Sequence, residues 1–402
     1  MSSRKRVPAQ VAVQAAVQDK PPTEGRSPAP RRRAAVPFDV VEFMEQHGHE
    51  RLAVFRDRET GLRAVIAIHD TTLGPGLGGT RVRRYASNAA GIQDVLRLAE
   101  GMTNKAAVAG LPLGGGKAVI LADGKEEHDK DLRAARFQAF GRCVDSLNGS
   151  YITAEDVGTS PADMRQIHLT TRYVVGTPRD EGGCGDPSPS TAYGVVCGMR
   201  ALAADVLGRS SLEGVRIAVQ GLGHVGLSLV EQLVRDEGAE VVAADVRAEV
   251  VRLARERLAH HANFHLGDAD TIHLEPCDIF APCAFGAILN PQTIPQLRCR
   301  IVAGAANNQL EDEDRDSVAL QQRGIAYAVD YVINSGGLIH VAQDLAAQGQ
   351  WSQADDAAVK ARVAGVHDTV QEIQTLARAE GISTVLAARR IANARIQAAR
   401  AR

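Results

Sequence analysis

Two lysines close together in the sequence stand out by what surrounds them. Lys117 follows three glycines and precedes an apolar run in GLPLGGGKAVI, and Lys105 lies twelve residues earlier in GMTNK. Either lysine alone is more simply interpreted as a surface residue. As a pair on a glycine scaffold, one ammonium could hold a substrate carboxylate as a point charge. The other, desolvated and repelled by its neighbour, could have its pKa lowered and act as a base.

A second pattern, later in the chain, is typical of dinucleotide binding. RIAVQ reads as a strand, Gly221-Leu-Gly223-His-Val-Gly226 opens a helix, and AEVVAAD reads as a strand that ends at Asp245. The glycines allow a tight turn, the approach of a pyrophosphate and close helix packing, while an acid at this position accepts hydrogen bonds from ribose hydroxyls. Asp245 would repel a 2′-phosphate, which favours NAD over NADP, although Arg247 could soften that preference.

The segments around these motifs alternate between strand and helix. Residues 62–70 and KAVILA read as buried strands, and the helical pattern AAGIQDVLRLAEGMTNKAAVAG lies between them. This alternation predicts an α/β fold with a mostly parallel sheet in an N-terminal substrate domain, followed by a Rossmann-type domain. A turn-rich stretch at 181–190 marks the first hinge. We therefore expect a substrate and oligomerisation domain formed by 37–182 with 346–402, and an NAD-binding domain over 183–345.

Composition excludes several classes of function. The 402 residues carry a formal net charge of −2, so no basic field for nucleic acid is expected, and no apolar run approaches the roughly 20 residues that span a bilayer. Six cysteines without a CxxC pair indicate reduced thiols in a cytoplasmic protein and predict no metal site. Residues 1–36, rich in Pro and Arg and without aromatic residues, read as a disordered basic tail; a mitochondrial transit peptide is a weaker alternative.

Eight stretches taken together resemble the glutamate/leucine/phenylalanine/valine dehydrogenase superfamily, most closely its leucine dehydrogenase branch. The resemblance runs from about Phe38 to the C-terminus. The stretches are TTLGPGLGGTR, GMTNKAAVAGLPLGGGKAVI, NGSYITAEDVGTS, GGCGDPSPSTAYGV, AVQGLGHVG, CDIFAPCAFGAILN, AGAANNQL and DYVINSGGLIHVA.

The resemblance implies reversible oxidative deamination of an L-amino acid to a 2-oxo acid and ammonia, with NAD as cofactor, in a homo-oligomer. It implies that Lys117 is the catalytic base and that Asp156 assists proton transfer at the amino group. Lys105 would hold the α-carboxylate, and Gly78 and Gly79 would form the floor on which the ligands lie. The other implied substrate-binding residues are Leu77, Asn307, Asn334, Leu338 and Val341. The implied cofactor-binding residues are Arg81, Gly221, Leu222, Gly223, His224, Val225, Gly226, Asp245 and Asn307.

The resemblance also bears on the substrate side chain. Glutamate dehydrogenases carry a lysine where this chain has Leu77 and a serine where it has Val341. Apolar residues at both positions argue against a charged side chain, because a buried carboxylate there would lack a partner. Leucine, valine and isoleucine are therefore favoured, with a phenylalanine or tryptophan dehydrogenase as the nearest alternative. An inactive NAD-binding sensor or scaffold is the alternative from another class.

Four further residues are singled out without an assigned role in the reaction. Gly76, Asn104 and Ser335 depart from the residues that are common in the family, and the direction in which they shift specificity stays open. His340 could suggest metal or acid–base chemistry. Without a second ligand at a suitable spacing, it is interpreted as a packed histidine.

Overall fold

The computed structural model describes residues 38–125, 129–284, 286–347 and 350–401. The predicted tail, residues 1–36, lies outside the described residues. The helices are α1 Val40–His47, α2 Asn88–Val108, α3 Lys130–Asp145, α4 Pro161–His168, α5 Ser188–Leu202, α6 His224–Arg235, α7 Ala248–Leu258, α8 Glu313–Gln322, α9 Asp330–Ile333, α10 Gly336–Ala347, α11 Gln353–Ala364, α12 Val366–Glu380 and α13 Thr384–Arg400. The strands are β1 Arg51–Arg56, β2 Arg63–Asp70, β3 Gly76–Arg83, β4 Gly114–Leu121, β5 Tyr151–Glu155, β6 Arg216–Gln220, β7 Glu240–Ala244, β8 Phe264–Leu266, β9 Ile279–Pro282, β10 Ile301–Val302 and β11 Ala326–Tyr327.

The first sheet has the strand order β1-β2-β4-β3-β5. β3 pairs in parallel with β4 and β5, whereas β2 pairs antiparallel with both β1 and β4. Four strands therefore run in one direction and β2 runs against them. The expected mostly parallel direction holds, but the sheet is mixed.

Lys117 does not lie where the sequence interpretation placed it. The apolar run was expected to begin at the lysine, with the glycines as its approach. In the structure β4 already begins at Gly114, and Lys117 is the fourth residue of an eight-residue strand. The strand extends over the glycines because their backbone pairs with β2 and β3. Neighbouring groups leave no room there for a side chain: a Cβ on Gly115 would lie 2.1 Å from Thr103 Oγ1, and one on Gly116 would lie 2.6 Å from the Tyr151 ring.

The second sheet has the order β11-β10-β9-β6-β7-β8, and its pairings are parallel. This is a doubly wound arrangement in which β6 and β9 lie at the centre. The order reverses beside β6, and the turn after β6 carries the glycine-rich motif. Open α/β sheets bind ligands at such a reversal, outside the carboxyl ends of the strands. The two-domain α/β fold with a Rossmann-type domain is thus confirmed.

The C-terminal helices contact both parts of the molecule. Arg395 on α13 donates to the carbonyls of Ala107 and Val108 at the end of α2, and Arg362 on α11 donates to the Gly110 carbonyl at 3.0 Å. α12 packs on α5, and α13 also packs on α8. The proposed joining of residues 346–402 to the first domain therefore stays a prediction.

In the described part of the chain, no helix combines the length and the apolar character that crossing a bilayer requires. The six cysteines are free thiols. No group of three or more His, Cys, Asp or Glu side chains within the described ranges is arranged to hold a metal ion.

Candidate active site

Lys117 and Asp156 form a buried ion pair. Lys117 lies in the middle of β4, and Asp156 directly follows β5, two strands away in the sheet. The Nζ atom of Lys117 is 2.7 Å from Oδ2 of Asp156, and the side chains are only 7% and 15% exposed. A second cation, Arg81 on β3, places its Nε 3.3 Å from the same oxygen. Two cations thus converge on one carboxylate.

The environment of Asp156 keeps this carboxylate ionised. Burial raises its pKa, but the charges of Lys117 and Arg81 and the hydrogen bond from Lys117 outweigh burial and lower the pKa to about 2. Asp156 is therefore an anion at neutral pH, and it can accept a proton only when a nearby cation moves or loses its charge.

Arg81 is held on Asp156 by a second acidic contact. Its Nη1 lies 3.1 Å from Oδ2 of Asp94 on α2, and the Tyr85 hydroxyl donates to the same oxygen at 2.5 Å. The sequence interpretation assigned Arg81 to the cofactor. In the structure, two of its guanidinium nitrogens contact carboxylates, those of Asp94 and Asp156. The contact of Arg81 with the cofactor stays a prediction, and the contact that the structure contains is the one with Asp156.

Lys105, on the last turn of α2, has a neutral partner. Its Nζ donates to Oδ1 of Asn334 at 2.7 Å. Burial lowers the pKa of Lys105 to about 8; the positive charge of Lys117 acts in the same direction, and the carboxylate of Asp330 opposes both. The sequence interpretation expected desolvation and repulsion to act on the base, Lys117. That expectation for Lys117 stays a prediction, and in the structure both effects act on Lys105, which has no carboxylate at ion-pair distance among the described residues.

Asn334 connects Lys105 to the second sheet. Its Nδ2 donates to Oδ1 of Asn307 at 2.7 Å and to the carbonyl of Ala305 at 3.1 Å. Asn307 follows β10 and is exposed, whereas Asn334 follows α9 and is buried. Asn334 and Asn307, both predicted from the sequence, therefore contact each other, and Asn334 also contacts Lys105.

The glycines of β3 have a packing role that the sequence interpretation did not include. A Cβ on Gly78 would lie 1.8 Å from the Gly116 carbonyl oxygen, and one on Gly79 would lie 2.4 Å from the carbonyl oxygen of Glu155. Larger residues would push β3 away from its neighbouring strands. The close packing of β3 requires these glycines whether or not a ligand lies on them, and their role as a ligand floor stays a prediction.

Three apolar residues predicted for the substrate pocket are buried in the same hydrophobic core. Leu77, Leu338 and Val341 are 0%, 6% and 7% exposed. The nearby departures from the family pattern, Gly76 and Ser335, are also buried. The structure therefore surrounds this part of the site with apolar side chains, and Leu77 has no accessible surface.

The glycine-rich turn has the geometry that its sequence predicts. Gly221 has a φ of +102°, a conformation that side chains rarely adopt. A Cβ on Gly226 would lie 2.1 Å from the Gly221 carbonyl oxygen, so this glycine permits close packing of helix and turn. The space beside Gly223 is open: among the described residues, a Cβ there would have only Arg247 Nη2 nearby, at 3.6 Å. α6 begins at exposed His224 and half-buried Val225.

Asp245 follows β7 and already has partners. Its Oδ2 accepts the backbone N–H of Leu222 at 2.8 Å, and Arg247 donates from its backbone at 2.8 Å and from Nε at 3.1 Å to Oδ1. Although burial raises the pKa of Asp245, these hydrogen bonds lower it overall, so the carboxylate is ionised at neutral pH. Arg247 thus already donates to the carboxylate that was predicted to accept hydrogen bonds from the ribose.

His340 is a packed residue, as its sequence context indicated. Its Nδ1 lies 2.7 Å from the Ser190 hydroxyl, and its Nε2 lies 3.2 Å from the Cys184 carbonyl. The carbonyl accepts only, so Nε2 carries the proton and Nδ1 accepts from the serine. The ring stacks on Trp351 with centroids 4.9 Å apart. Both ring nitrogens have protein partners.

Sequence reasoning missed three residues beside the site. Asp94 and Tyr85 support Arg81, and nothing in their sequence context signals this contact. Asp330 is buried near Lys105, and it stands four residues before Asn334 in the motif DYVINSGG. An acidic residue at the start of a short helix is the one signal that could have identified it.

Comparison with known proteins shows which family the chain belongs to. A family model described as Glu/Leu/Phe/Val dehydrogenase, dimerisation domain, matches residues 49–173, and one described as Glutamate/Leucine/Phenylalanine/Valine dehydrogenase matches 182–252 and 244–402. The chain belongs to the Glu/Leu/Phe/Val dehydrogenase family. Leucine dehydrogenase of Thermoactinomyces intermedius is 46% identical over 89% of this chain and 93% of that protein. Valine dehydrogenase of Streptomyces albus is 44% identical over 91% of this chain and 98% of that protein.

Among solved structures, L-tryptophan dehydrogenase from Nostoc punctiforme superposes with a TM-score of 0.75. It is 38% identical and covers 90% of this chain and 100% of that chain. The protein is therefore an amino acid dehydrogenase that acts on small molecules with a nicotinamide cofactor. Relatives named for leucine, valine and tryptophan leave the substrate itself to be argued from the site.

Proposed function

We propose that this protein catalyses the reversible NAD-dependent oxidative deamination of leucine, valine or isoleucine to the 2-oxo acid and ammonia. The observation that carries the proposal is the contact of Lys117 with Asp156 at 2.7 Å, with Lys105 close enough for its pKa to depend on both charges. This places an acid–base pair beside a second cation. An inactive sensor would not need this arrangement, and all three side chains are present and buried or half-buried.

The residues take different roles in the proposed site. Lys105 holds the α-carboxylate of the substrate, and Asn334 orients the Lys105 ammonium. Lys117 and Asp156 exchange protons at the reacting carbon and nitrogen. Gly78 and Gly79 form the floor, and Asn307 reaches the side on which the cofactor would lie.

The proton steps follow from the ion pair. When bound, the nicotinamide would accept a hydride from the substrate Cα, which leaves an imino acid. Lys117 releases its ammonium proton to solvent, which lets Asp156 take a proton from the substrate nitrogen. Neutral Lys117 then removes a proton from the water that attacks the imine carbon. Asp156 returns its proton to the nitrogen, and the carbinolamine collapses to the 2-oxo acid as the hydroxyl proton leaves with ammonia.

The turn after β6 fits a dinucleotide. The open space beside Gly223 and the N-terminus of α6 suit a pyrophosphate, because backbone N–H groups there favour negative charge. Leu222, His224 and Val225 belong to the same turn and the first turn of the helix. We propose that Asp245 accepts hydrogen bonds from the ribose once Arg247 moves aside. An ionised carboxylate at this position repels a 2′-phosphate, so NAD is preferred over NADP.

Side-chain preference rests on apolar burial. Leu77, Leu338 and Val341 offer no partner to a charged side chain, so we propose an apolar substrate side chain, with a branched aliphatic one preferred. A phenylalanine or tryptophan dehydrogenase is the second candidate, and the fit to the tryptophan dehydrogenase structure is the observation in its favour. A methylene group changes binding by only about 1–3 kcal/mol, so the three aliphatic substrates should differ modestly.

The test is formation of reduced cofactor by purified protein across a panel of aliphatic, aromatic and acidic L-amino acids, with NAD and then with NADP. We expect the highest kcat/KM for an aliphatic substrate with NAD. Folded protein that reduces NAD only with phenylalanine or tryptophan would favour the second candidate. Activity with no L-amino acid would contradict the proposal, and equal kcat/KM with NADP would contradict the role of Asp245.

We further propose the domain limits 37–182 with 346–402 for the substrate domain and 183–345 for the cofactor domain, in a homo-oligomer. The match of residues 49–173 to a model described as a dimerisation domain supports assembly through the first domain. Light scattering coupled to size exclusion measures the mass directly. A monomer at assay concentration would contradict the proposal.

A further inference from the structure

Asp330 is a buried carboxylate that the proposed chemistry does not use. It begins α9, is 9% exposed, and accepts two backbone N–H groups: that of Asn308 at 2.6 Å through Oδ2 and that of Tyr331 at 2.7 Å through Oδ1. A buried carboxylate without such partners would be strongly unfavourable. Its contact with Asn308 crosses 22 residues of sequence, so it joins α9 to the loop after β10.

The loop that Asp330 holds has an uncommon backbone conformation. Asn308 has a φ of +54°, in the left-handed region that L-residues other than glycine rarely adopt. The contact at the Asn308 N–H fixes this turn from one side. From the other end of α9, Asn334 donates to Asn307 Oδ1 at 2.7 Å. Two side chains from one short helix therefore fix two consecutive residues of the loop.

The same helix also positions the substrate lysine. The backbone N–H of Asn334 donates to the Asp330 carbonyl at 3.0 Å, and the Asn334 side chain accepts from Lys105 Nζ at 2.7 Å. A shift of α9 or of the loop would change the direction in which Lys105 points. Asp330 also lies close enough to Lys105 for its negative charge to stabilise the ammonium form.

We propose that Asp330 is a positioning residue for substrate binding, which fixes the Asn307–Asn308 loop and, through α9 and Asn334, keeps Lys105 oriented and positively charged. The inference rests on the proposed function, because it takes Lys105 as the group that binds the α-carboxylate. It assigns Asp330 no contact with the substrate. Its effect should therefore fall on KM for the amino acid, and on the pH dependence of KM, more than on kcat.

Several charges determine this pH dependence. Lys105 is influenced by Asp330 from α9, Lys117 from β4 and Asp156 beyond β5, while Asp330 itself is influenced by Glu313 from α8. Burial and Glu313 raise the pKa of Asp330 to about 6, so its carboxylate is ionised through the pH range in which the pKa of Lys105, about 8, matters. Only charged Lys105 attracts the substrate carboxylate, so KM should rise above about pH 8.

The test compares KM for the amino acid across pH in wild type and Asp330→Asn. Loss of the negative charge lowers the pKa of Lys105, so the rise of KM should begin at lower pH. A displacement of half a pH unit raises KM about threefold on that limb, and one of a whole unit raises it about tenfold. Asp330→Glu keeps the charge and should return the limb toward its wild-type position even if KM itself is raised.

Asp316 supplies a matched control. It is a fully buried carboxylate on α8 that accepts the Asp312 N–H at 2.8 Å and pairs with Arg315, so it makes comparable contacts without the connection to Asn334. Asp316→Asn should reduce thermal stability and leave the KM limb in place. An equal displacement in both variants would show a general effect of destabilisation and would overturn the proposal.

A second pair of variants tests the loop at Asn308, which is exposed, so that its substitution leaves the core intact. Asn308→Pro removes the N–H that Asp330 accepts and cannot adopt the positive φ, whereas Asn308→Gly keeps the N–H and adopts it readily. We expect the proline variant to raise KM about fivefold more than the glycine variant, because about 1 kcal/mol of hydrogen bonding is lost with little change in the core. Equal KM values for the two variants would contradict the positioning role.

The outcomes separate this inference from the proposed function. Wild-type protein without amino acid-dependent reduction of NAD would refute the function itself. If the wild type is active and Lys105→Ala raises KM, but Asp330→Asn leaves the limb unmoved, the function stands and the inference fails. Combining Asp330→Asn with Lys105→Ala should add no further displacement, because the titrating group is then absent.

Discussion

The two lysines of the site have the same side chain and opposite surroundings. Lys117 pairs with the Asp156 carboxylate at 2.7 Å, and Arg81 stands behind that carboxylate. Lys105 donates to the neutral amide of Asn334 at the same distance, and burial lowers its pKa to about 8. Distance to the partner is thus equal, and the charge of the partner differs. The comparison teaches that two lysines at the same distance from their partners can differ in charge pairing: Lys117 is paired with a carboxylate, whereas Lys105 has an amide partner and a pKa lowered mainly by burial.

This difference suits two tasks. A lysine that exchanges protons benefits from a neighbouring carboxylate that can accept and return a proton in the same reaction. A lysine that binds a substrate carboxylate needs its charge unpaired, because an existing ion pair would compete with the ligand. An amide partner orients the ammonium group and leaves its charge available.

The largest effect is expected from Lys117→Ala. Removing the proposed base should lower kcat by the ~10²–10⁴ typical of general base loss. It should also abolish the limb on which activity rises with pH. Steady-state kinetics across pH measure both. If the variant keeps near-normal kcat and an unchanged limb, the base lies elsewhere, and Asp156 is then the first candidate.

Lys105→Ala should instead act on substrate binding. Loss of a charged hydrogen-bond partner, worth about 1.5–3 kcal/mol, should raise KM for the amino acid by roughly 10–100-fold. The rising limb of kcat should remain, because Lys117, the proposed base, is still present. KM and kcat determined separately give the test. A loss confined to kcat would reverse the roles assigned to the two lysines.

How much of this could be predicted from sequence depends on how local each signal is. The turn from Gly221 to Gly226 and the acid at 245 are visible because one strand–turn–helix–strand unit contains them. The Lys117 and Lys105 assignments came from motifs within one segment. The contact of Lys105 with Asn334 spans 229 residues, and no periodicity reveals it. Arg81 with Asp94 depends on how α2 lies across β3, which only the folded chain determines.

The strand that carries Lys117 shows the same limit. Glycine is unfavourable inside strands in general, so the sequence placed GGG before β4 instead of within it. The fold overrides this preference because the glycine backbone pairs with β2 and β3, while Thr103 and Tyr151 occupy the space that side chains would need. Tertiary contacts, and not the local preference of glycine, therefore determine that Gly114, Gly115 and Gly116 lie within β4.

Exchanging the partner of Lys105 tests the comparison directly. Asn334→Asp would give this lysine a carboxylate, as Lys117 has, and raise its pKa above about 8. The pH at which KM begins to rise should move upward. At lower pH the new carboxylate competes with the substrate, so KM should increase about tenfold, as for an energy near 1.4 kcal/mol. Asn334→Ser is the control that removes the amide without adding charge. A lower KM in the aspartate variant would contradict the argument.

The smallest effect is expected from Arg81→Gln, which removes a positive charge beside Asp156, the partner of Lys117. The folded pKa of Asp156, about 2, lies below the unfolded value of about 3.9, so Asp156 stabilises the fold above that unfolded value. This stability is lost as pH falls toward about 2. Without Arg81 the folded pKa rises toward the unfolded value, and the stability contributed at neutral pH shrinks by about 1 kcal/mol.

Urea unfolding at neutral pH and at about pH 2 measures this change. The loss of stability on acidification should be smaller in Arg81→Gln than in wild type. Asp94→Asn provides the comparison, since it removes the second partner of Arg81 and leaves Arg81 to pair with Asp156 alone. It should therefore keep the wild-type acid dependence. Equal acid dependence in wild type and Arg81→Gln would mean that Lys117 alone sets the charge of Asp156.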